Sequence, residues 1–415
     1  MTAGRLEPRV ERIKDDIIAF SAFVSPGEPP YTRLSFSPED LQARAYVCRL
    51  MEGARLAVRT DAGGNIIGRR EGACALPPLM VGSHLDTVRG GGRFDGVAGV
   101  VAAIEAARRY DEQHIRLDHP LEVVVFLAEE PSPFGLSTIG SRAMAGKLWP
   151  EHLALTDGTG RSLDAAMRSA GADPDRLPEA VRSPGDVAAF LELHIEQGPH
   201  LACAGVPVGV VTGIVGIWRG RIEIVGQPDH TGTTPMGRRR DALAAGSEAV
   251  LALEAVCSGA GDIVGTVGRV ELFPNALNVV PGKMLLGMEM RGTDTACVEA
   301  AAADFTDRLD RIRDSRKIDI AFDFSMSSTP VRFPDEVVSL LREAAISLGI
   351  PYAQLHSGAG HDANHLAGIA PAAMIFLPSK DGRSHCSDEW TEWADIAAGT
   401  EVLAAAIQAL DRRLT

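Results

Sequence analysis

A histidine and an aspartate separated by one residue stand at the end of an apolar run. Pro78–Val81 predicts a buried strand, and His84 and Asp86 follow it. Because extended chain alternates sides with a period of two, both side chains are expected on one face. A metal-binding imidazole commonly donates its second ring N–H to a carboxylate, so Asp86 is expected to orient His84. A hydrogen-bonded surface turn would carry the same two residues, so the motif alone leaves both interpretations open.

The loop that follows is rich in glycine. Gly90, Gly91 and Gly92 precede Phe94-Asp95-Gly96, and the freedom of glycine lets the chain turn back so that Asp95 reaches the same point as His84. A phosphate-binding loop is the alternative for such a run. That loop requires a following Gly-Lys-Ser/Thr, which this sequence lacks.

Further polar residues follow other apolar stretches. Glu129-Glu130 end the run Leu121–Ala128, His194 lies within Phe190–Glu196, and His385 lies in a polar segment. Taken singly, these are typical of a solvated strand end, a core histidine and a loop residue. In open α/β sheets, however, reacting groups gather beyond the carboxyl ends of strands, so their conjunction predicts a site.

The chemistry of this set is that of a divalent metal centre. Two imidazoles, an aspartate and a carboxylate pair suit Zn²⁺, Mn²⁺ or Co²⁺. Neighbouring residues that leave a strand point in different directions, so Glu129 and Glu130 are expected to divide the work. One is expected to bind metal while the other stays free to act as a base.

Alternating strands and helices predict an α/β fold with a covered, mostly parallel sheet. A helix is predicted from Ser37-Pro38 to about Gly53 by its capping pattern, and a hairpin over 56–68 by its glycine-rich turn. From about 213 to 327 the order of elements becomes β-α-β-β-α-β, which is typical of a ferredoxin-like α+β unit. We therefore predict a catalytic domain over 1–212 and 328–415 with an inserted domain over 213–327, joined by a return linker at Ser327–Pro330.

The bulk composition narrows the classes of protein. A chain of 415 residues exceeds one ordinary core. With 41 basic and 55 acidic residues, its net charge of −14 argues against nucleic acid or an anionic membrane as a partner. The first residues lack a secretory apolar region, no apolar run reaches the roughly 20 residues of a membrane span, and the six cysteines lack Cys-x-x-Cys spacing. A cytoplasmic enzyme acting on a small molecule is expected.

The full set of motifs resembles a known family, the dinuclear metallo-amidohydrolases of the M20 peptidase family. The more specific resemblance is to its hydantoinase/carbamoylase branch, which contains N-carbamoyl-L-amino-acid amidohydrolases, allantoate amidohydrolases and β-ureidopropionases. The motifs run from about residue 35 to about 395. They are His84-x-Asp86, Gly-Gly-x-Phe94-Asp95-Gly96, Glu129-Glu130, Phe134-Gly135, Gly140-Ser141-Arg142, His194-Ile-Glu196-Gln197-Gly198, Pro228–Met236, Phe273–Gly282, Ser357–Ala363 and His385.

The resemblance implies two divalent ions per chain, Zn²⁺ or Mn²⁺, with Co²⁺ or Ni²⁺ as alternatives. It implies that Asp95 bridges the ions, that His84 and His194 complete one site, and that Glu130 and His385 complete the other. Glu129 would be the general base, with Asp86 behind the ligands.

For the substrate, the resemblance implies that His230 and Asn278 polarise the scissile carbonyl and that Arg291 clamps a carboxylate. Gln197 and the segment Gly358-Ala359-Gly360 would line the pocket. The inserted domain would act as a lid and a dimerisation domain, and its histidine would reach the neighbouring subunit of a homodimer.

The implied reaction is hydrolysis of the carbamoyl C–N bond of an N-carbamoyl-L-amino acid, giving the amino acid, ammonia and carbon dioxide. Allantoate amidohydrolase, β-ureidopropionase, and a dipeptidase or aminoacylase of the same family are the alternatives, and a scaffold protein without catalysis is a more distant one. The branch commonly has Gly-Ser-Arg-Phe after its glutamate pair, whereas this chain has Pro131-Ser132-Pro133-Phe134. The changed loop lies beside the base and leaves the identity of the substrate open.

Overall fold

The computed structural model describes residues 6–414, which form two compact units. The first unit contains the chain up to Thr212 and again from Phe333, and the second unit contains Gly213–Arg332. The boundaries predicted from the sequence are 213 and 327.

The α-helices of the described residues are the following. They are α1 (Val10–Phe20), α2 (Pro38–Gly53), α3 (Val97–Glu112), α4 (Ile139–Met144), α5 (Pro150–Leu153), α6 (Leu163–Ser169), α7 (His200–Ala204), α8 (Ala242–Gly259), α9 (Thr295–Arg316), α10 (Asp335–Leu348), α11 (Ala363–Leu366) and α12 (Trp393–Leu414).

The strands are numbered in the same way. They are β1 (Ala57–Thr60), β2 (Ile66–Arg70), β3 (Leu79–His84), β4 (Leu121–Phe126), β5 (Ala189–Ile195), β6 (Val208–Ile214), β7 (Gly216–Val225), β8 (Asp229–His230), β9 (Val264–Phe273), β10 (Val279–Val280), β11 (Lys283–Gly292), β12 (Asp319–Ser328), β13 (Val331–Arg332), β14 (Tyr352–Ser357) and β15 (Ala372–Leu377).

The first unit is built on a nine-stranded sheet in the order β1-β2-β4-β3-β5-β15-β6-β13, with β14 also paired to β6. Pairing is parallel across β4, β3, β5 and β15. It is antiparallel on both flanks, between β1, β2 and β4 and between β15, β6 and β13. The prediction of a mostly parallel sheet is therefore confirmed for the four central strands and wrong for the strands on both flanks.

The four central strands are buried along their whole length, as expected for parallel strands covered on both faces. Helix α3 packs against β3, β4 and β5, and α12 packs against β15, β5 and α3. Small residues of α3, such as Gly99, permit this close approach, because a Cβ there would lie 2.0 Å from the Leu193 carbonyl oxygen.

Two local predictions are confirmed by their hydrogen bonds. Helix α2 begins at Pro38, and the Ser37 side chain accepts from the Asp40 backbone N–H. Strands β1 and β2 form the predicted hairpin. In its turn the Asp61 carboxylate accepts from the backbone N–H of Asn65 at 2.8 Å. Both features depend on neighbouring residues alone, which is why the sequence predicts them.

The second unit contains a four-stranded antiparallel sheet in the order β12-β7-β11-β9. Along the chain, α8 lies between β7 and β9, and α9 lies between β11 and β12. Alternate residues of β11 are buried, as expected when one face of a strand covers a core. Strand β12 extends to Ser328, so the predicted return linker at Ser327–Pro330 is wrong for its first two residues.

Among the helices described for residues 6–414, α8 is long and apolar enough to cross a membrane by length and composition. Core helices of soluble proteins also meet that criterion. Ala245, Ala249 and Leu253 of α8 are buried in the core of the second unit.

Candidate metal centre and active site

The candidate centre lies where the four parallel strands of the first unit end. Strand β3 ends at His84, β4 is followed by Glu129 and Glu130, and His194 is the penultimate residue of β5. Strand β15 ends at Leu377, before the loop that carries His385. Because adjacent parallel strands deliver their carboxyl ends to one edge, these residues converge although they are far apart in sequence.

One group of side chains contains His84, Asp95 and His194, and all three are buried. The Oδ1 atom of Asp95 lies 3.0 Å from Nε2 of His194 and 3.7 Å from Nε2 of His84. The two Nε2 atoms are 3.4 Å apart. Two imidazole nitrogens and a carboxylate oxygen that face one point form a donor set suited to Zn²⁺ or a similar ion.

A second group contains Asp95, Glu130 and His385. Here Nε2 of His385 lies 3.2 Å from Oδ2 of Asp95 and 3.3 Å from Oε1 of Glu130. Asp95 thus directs one oxygen to each group. A carboxylate in this arrangement can bridge two ions.

Glu129 lies beside the centre but belongs to neither group. Its Oε2 atom is 3.7 Å from Nε2 of His84, and the residue is 8% exposed. The structure therefore separates the two adjacent glutamates: Glu130 faces His385 at 3.3 Å, and Glu129 faces the first group. Their backbone turns between β4 and α4, where Ala128 has a positive φ of 51°.

The backbone of both glutamates is held by Asp86. Its carboxylate accepts from the N–H of Glu129 at 3.1 Å, from the N–H of Glu130 at 3.0 Å and from the Ser35 hydroxyl at 2.8 Å. Asp86 was expected to orient His84 through its carboxylate. The Nδ1 atom of His84 lies 3.0 Å from the Asp86 backbone carbonyl, whereas the carboxylate is 3.6 Å away. The Asp86 atom nearer to the histidine is thus its carbonyl oxygen, and its carboxylate also holds the backbone of the glutamate pair.

Charges inside the centre shift the pKa values of its members. Burial raises the pKa of Asp95, but hydrogen bonds from His194 and His385 outweigh it and hold that pKa well below its usual value. Hydrogen bonds to Asp95 and Glu130 raise the pKa of His385 to about 10. Burial raises the pKa of Glu129 well above its usual value, an effect that His84 opposes and Glu130 strengthens. A divalent cation would displace the imidazole protons, so metal binding is expected to release protons.

Two of the expected pocket-lining features also lie in the first unit. The Gln197 side-chain amide nitrogen is 2.9 Å from Oδ2 of Asp95 and 3.2 Å from Nε2 of His385, so Gln197 contacts the second group directly. The segment Gly358-Ala359-Gly360 directly follows β14. Its Ala359 N–H donates to the Ser357 hydroxyl.

His361 was missed as a site residue by the sequence analysis, although it lies within the quoted motif Ser357–Ala363. Its Nε2 atom is 2.8 Å from the Ser357 hydroxyl, and its ring centroid is 4.6 Å from that of His194. Burial, and then the nearby His194, hold its pKa well below the usual value. His361 also forms a buried group with Glu192 and His194. A motif match identifies such a residue, but only its packing reveals that it lies against the centre.

The proline-containing loop after the glutamate pair forms a compact turn. The N–H and the hydroxyl of Ser132 both donate to the carbonyl oxygen of Leu136. Phe134 is buried, and its ring packs edge-on against Phe36 with centroids 5.7 Å apart. The loop that departs from the branch pattern is thus anchored at its tip by an aromatic contact.

The remaining predicted residues lie in the second unit. His230 is exposed on β8, where it pairs with Val279 of β10, and the Asn278 carbonyl accepts from the Thr231 N–H at 3.2 Å. His230 and Asn278 are thus near one another within this unit. Arg291 lies on β11, and its Nε donates to Glu289 at 2.7 Å.

Comparison with known proteins identifies the family. Residues 80–409 match the sequence profile of the peptidase family M20/M25/M40, and this match spans most of the chain. The chain belongs to this family, and the resemblance stated from its motifs is confirmed.

Individual relatives cover nearly all of the chain. It is 42% identical to an N-carbamoyl-L-amino acid amidohydrolase from Geobacillus stearothermophilus over 90% of this chain and 91% of that protein. It is 37% identical to the allantoate amidohydrolase of Escherichia coli strain K12 over 95% and 96% of the two chains. A crystal structure of a hydantoinase/carbamoylase family amidase from Burkholderia ambifaria superposes with a TM-score of 0.89 at 34% identity, covering 98% of each chain.

Proposed function

We propose that this protein hydrolyses the carbamoyl C–N bond of an N-carbamoyl-L-amino acid, giving the amino acid, ammonia and carbon dioxide. The observation that carries the proposal is the arrangement around Asp95. Its two oxygens face two separate groups of ligands, and Glu129 stands beside them outside both groups. The similarity to an N-carbamoyl-L-amino acid amidohydrolase at 42% identity supports the choice of bond.

The donor atoms fit two divalent ions. His84 and His194 would hold one ion and Glu130 and His385 the other, with Asp95 shared. Zn²⁺ or Mn²⁺ suits this mixture of imidazole and carboxylate, and Co²⁺ or Ni²⁺ could replace them. When bound, such ions supply Lewis-acid polarisation and lower the pKa of water toward neutrality.

Glu129 is the general base in this proposal. It is buried and close to His84, yet it is free of both ligand groups. It takes a proton from the attacking water and later delivers that proton to the departing nitrogen. Asp86 keeps the base in place by accepting from the backbone N–H of both glutamates.

The second unit would supply the groups that bind the substrate. His230 and Asn278 would stabilise the oxyanion, and Arg291 would bind the substrate carboxylate with its forked guanidinium. Gln197 and Gly358-Ala359-Gly360 of the first unit would line the pocket. The second unit would serve as a lid and as the dimerisation domain of a homodimer, with His230 acting in the neighbouring subunit.

An allantoate amidohydrolase is the second candidate, because the chain is also 37% identical to that enzyme over almost its full length. Both candidates use the same metal centre and differ in the groups that contact the rest of the substrate. The compact Pro131–Leu136 turn beside the base is the part of the first unit in which the chain departs from the branch pattern.

Ammonia release from a panel of compounds tests the function. Metal-reconstituted enzyme is expected to release ammonia from at least one N-carbamoyl-L-amino acid faster than from allantoate, β-ureidopropionate or a dipeptide. The Glu129→Gln protein, prepared in parallel, is the blank for contaminating activity. Preference for allantoate would favour the second candidate, and cleavage of dipeptides alone would contradict both.

The metal content tests the dinuclear centre. Fully loaded protein is expected to bind two divalent ions per chain, because Asp95 shares its oxygens between two groups of donors. His385→Ala is expected to lose mainly one of them, the ion on the Glu130 side, because it removes the only nitrogen donor of that group. Mass spectrometry of the metal content measures this, and at most one ion in well-loaded wild-type protein would contradict the dinuclear proposal.

A further inference from the structure

The two residues that complete the second ligand group come from distant parts of the chain. Asp95 lies in the loop between β3 and α3, and His385 lies in the loop between β15 and α12. Their atoms Oδ2 and Nε2 are 3.2 Å apart. No element of secondary structure carries both residues, so their separation depends on contacts between the two loops.

One buried side chain joins the two loops, beside a direct hydrogen bond from the Ser384 hydroxyl to Oδ2 of Asp95 at 3.4 Å. The Oε1 atom of Glu389 accepts from the backbone N–H of Phe94 at 2.9 Å and of Asp95 at 3.1 Å, across 294 positions of sequence in the second case. Its other oxygen accepts from the Ser384 hydroxyl at 2.8 Å. A single carboxylate thus joins the main chain of Asp95 to the residue next to His385.

The surroundings keep this carboxylate in one position. Glu389 is 3% exposed. The ring of Phe94 packs against Trp390 and Trp393, each with centroids 5.4 Å apart. A Cβ placed on Gly92 would lie 1.9 Å from the Glu389 carboxylate, so a residue larger than glycine at position 92 would displace it.

The hydrogen-bond partners of the Glu389 side chain belong to the two loops that carry Asp95 and His385. Among residues 6–414, the Glu389 side chain forms no ion pair or hydrogen bond with an arginine or lysine. Its partners are two backbone N–H groups and one hydroxyl. A carboxylate oxygen that accepts from two successive backbone N–H groups fixes the orientation of that backbone, because both hydrogen bonds converge on one atom. Glu389 contacts the main chain of Asp95, not the side-chain atoms that would bind metal, so it acts on those atoms through the backbone.

We propose that Glu389 is a positioning residue that sets the separation of Asp95 and His385 and thereby the affinity of the second metal ion. The inference rests on the proposed dinuclear function. Outer partners that orient metal ligands typically change metal affinity or activity by about 10–100-fold when they are removed.

Asp411 is a matched control. Its carboxylate also accepts from two successive backbone N–H groups, those of Asp118 at 3.0 Å and His119 at 2.8 Å, and it is 6% exposed. Those two residues precede β4, whereas the glutamate pair follows that strand. Asp411 therefore makes the same kind of hydrogen bond at the opposite end of β4 from the glutamate pair.

The test is a titration of metal-free protein with Zn²⁺ against a chromophoric chelator, with ions per chain counted by mass spectrometry. Glu389→Ala is expected to bind the second ion about 10–100-fold more weakly than wild type, and Asp411→Ala is expected to bind both ions as wild type does. Both variants are expected to lower the thermal unfolding temperature of the metal-free protein, which controls for a purely structural effect. Unchanged affinity in Glu389→Ala, or equal losses in both variants, would overturn the inference.

Milder changes keep the test valid if Glu389→Ala fails to fold. Glu389→Gln and Ser384→Ala each alter few hydrogen bonds and are expected to weaken the second ion less than Glu389→Ala does. If Ser384 acts through Glu389, adding Ser384→Ala to Glu389→Gln should cost less than the two separate losses combined. Wild-type affinity in both single variants would again overturn the inference. At most one ion in wild-type protein would instead contradict the dinuclear centre itself.

Discussion

Glu129→Gln is expected to lower kcat by about 10²–10⁴-fold, the range that a positioned general base contributes. The substitution keeps the size of the side chain and removes its ability to take a proton. Because Glu129 lies outside both groups of ligands, the protein should retain both ions and its affinity for substrate. Steady-state ammonia release, with metal content measured on the same samples, checks the prediction.

The adjacent glutamate is the natural comparison. Glu130 faces His385 at 3.3 Å and belongs to the second ligand group, so Glu130→Gln is expected to lose metal as well as activity. The two substitutions lie at adjacent positions. Glu129→Gln is expected to lose turnover while it keeps metal, whereas Glu130→Gln is expected to lose both. Near-normal turnover in Glu129→Gln, or metal loss in that variant alone, would mean that the two roles are assigned the wrong way round.

His230→Ala is expected to lower kcat by about 10²–10³-fold, as the loss of one oxyanion-stabilising group does. His230 is an exposed residue of the second unit, so its removal should leave the metal centre of the first unit intact. His114→Ala, which removes an exposed histidine of the first unit, serves as the control and is expected to be fully active. Activity close to wild type in His230→Ala would remove this residue from the proposed mechanism.

Mixing two inactive variants asks whether His230 acts in its own chain or in a partner. If the sites are shared between the subunits of a dimer, combining His230→Ala with Glu129→Gln should restore sites that have one wild-type base and one wild-type lid histidine. Random reassortment makes half of the dimers mixed, each with one intact site, so activity should recover to about a quarter of wild type.

The subunits must be dissociated and reassociated for this experiment, and differently tagged chains must confirm that mixed dimers form. Mixed dimers that stay inactive would show that His230 acts within its own chain. The metal centre and the proposed base would be unaffected by that result.

Local features of the fold follow from the sequence because they depend on neighbouring residues. The cap of α2 by Ser37, the turn at Asp61–Asn65 and the buried strand ending at His84 each arise from a few adjacent side chains. The convergence of strand ends is also predictable, because parallel strands in one sheet share an edge. The sequence by itself therefore determined the six predicted residues that meet at the candidate metal centre, which are His84, Asp95, Glu129, Glu130, His194 and His385.

Pairing and orientation across long distances were decided only by the tertiary structure. The antiparallel flanks of the sheet depend on which strand lies beside which. That Asp86 contacts His84 through its carbonyl while its carboxylate holds the glutamate pair depends on how the chain bends after β3. Periodicity places a side chain on a face, but it does not determine which of its atoms meets a partner.

The same limit explains the residues that sequence reasoning missed. His361 becomes part of the site only because its ring packs against His194, and Glu389 only because it bonds to a backbone 294 positions away. Such contacts form when separate elements pack into one core, and their free energy depends on burial and on the exact distance between groups. The sequence thus determined the chemistry that this protein carries, and the packing of distant segments decided which atoms hold that chemistry in place.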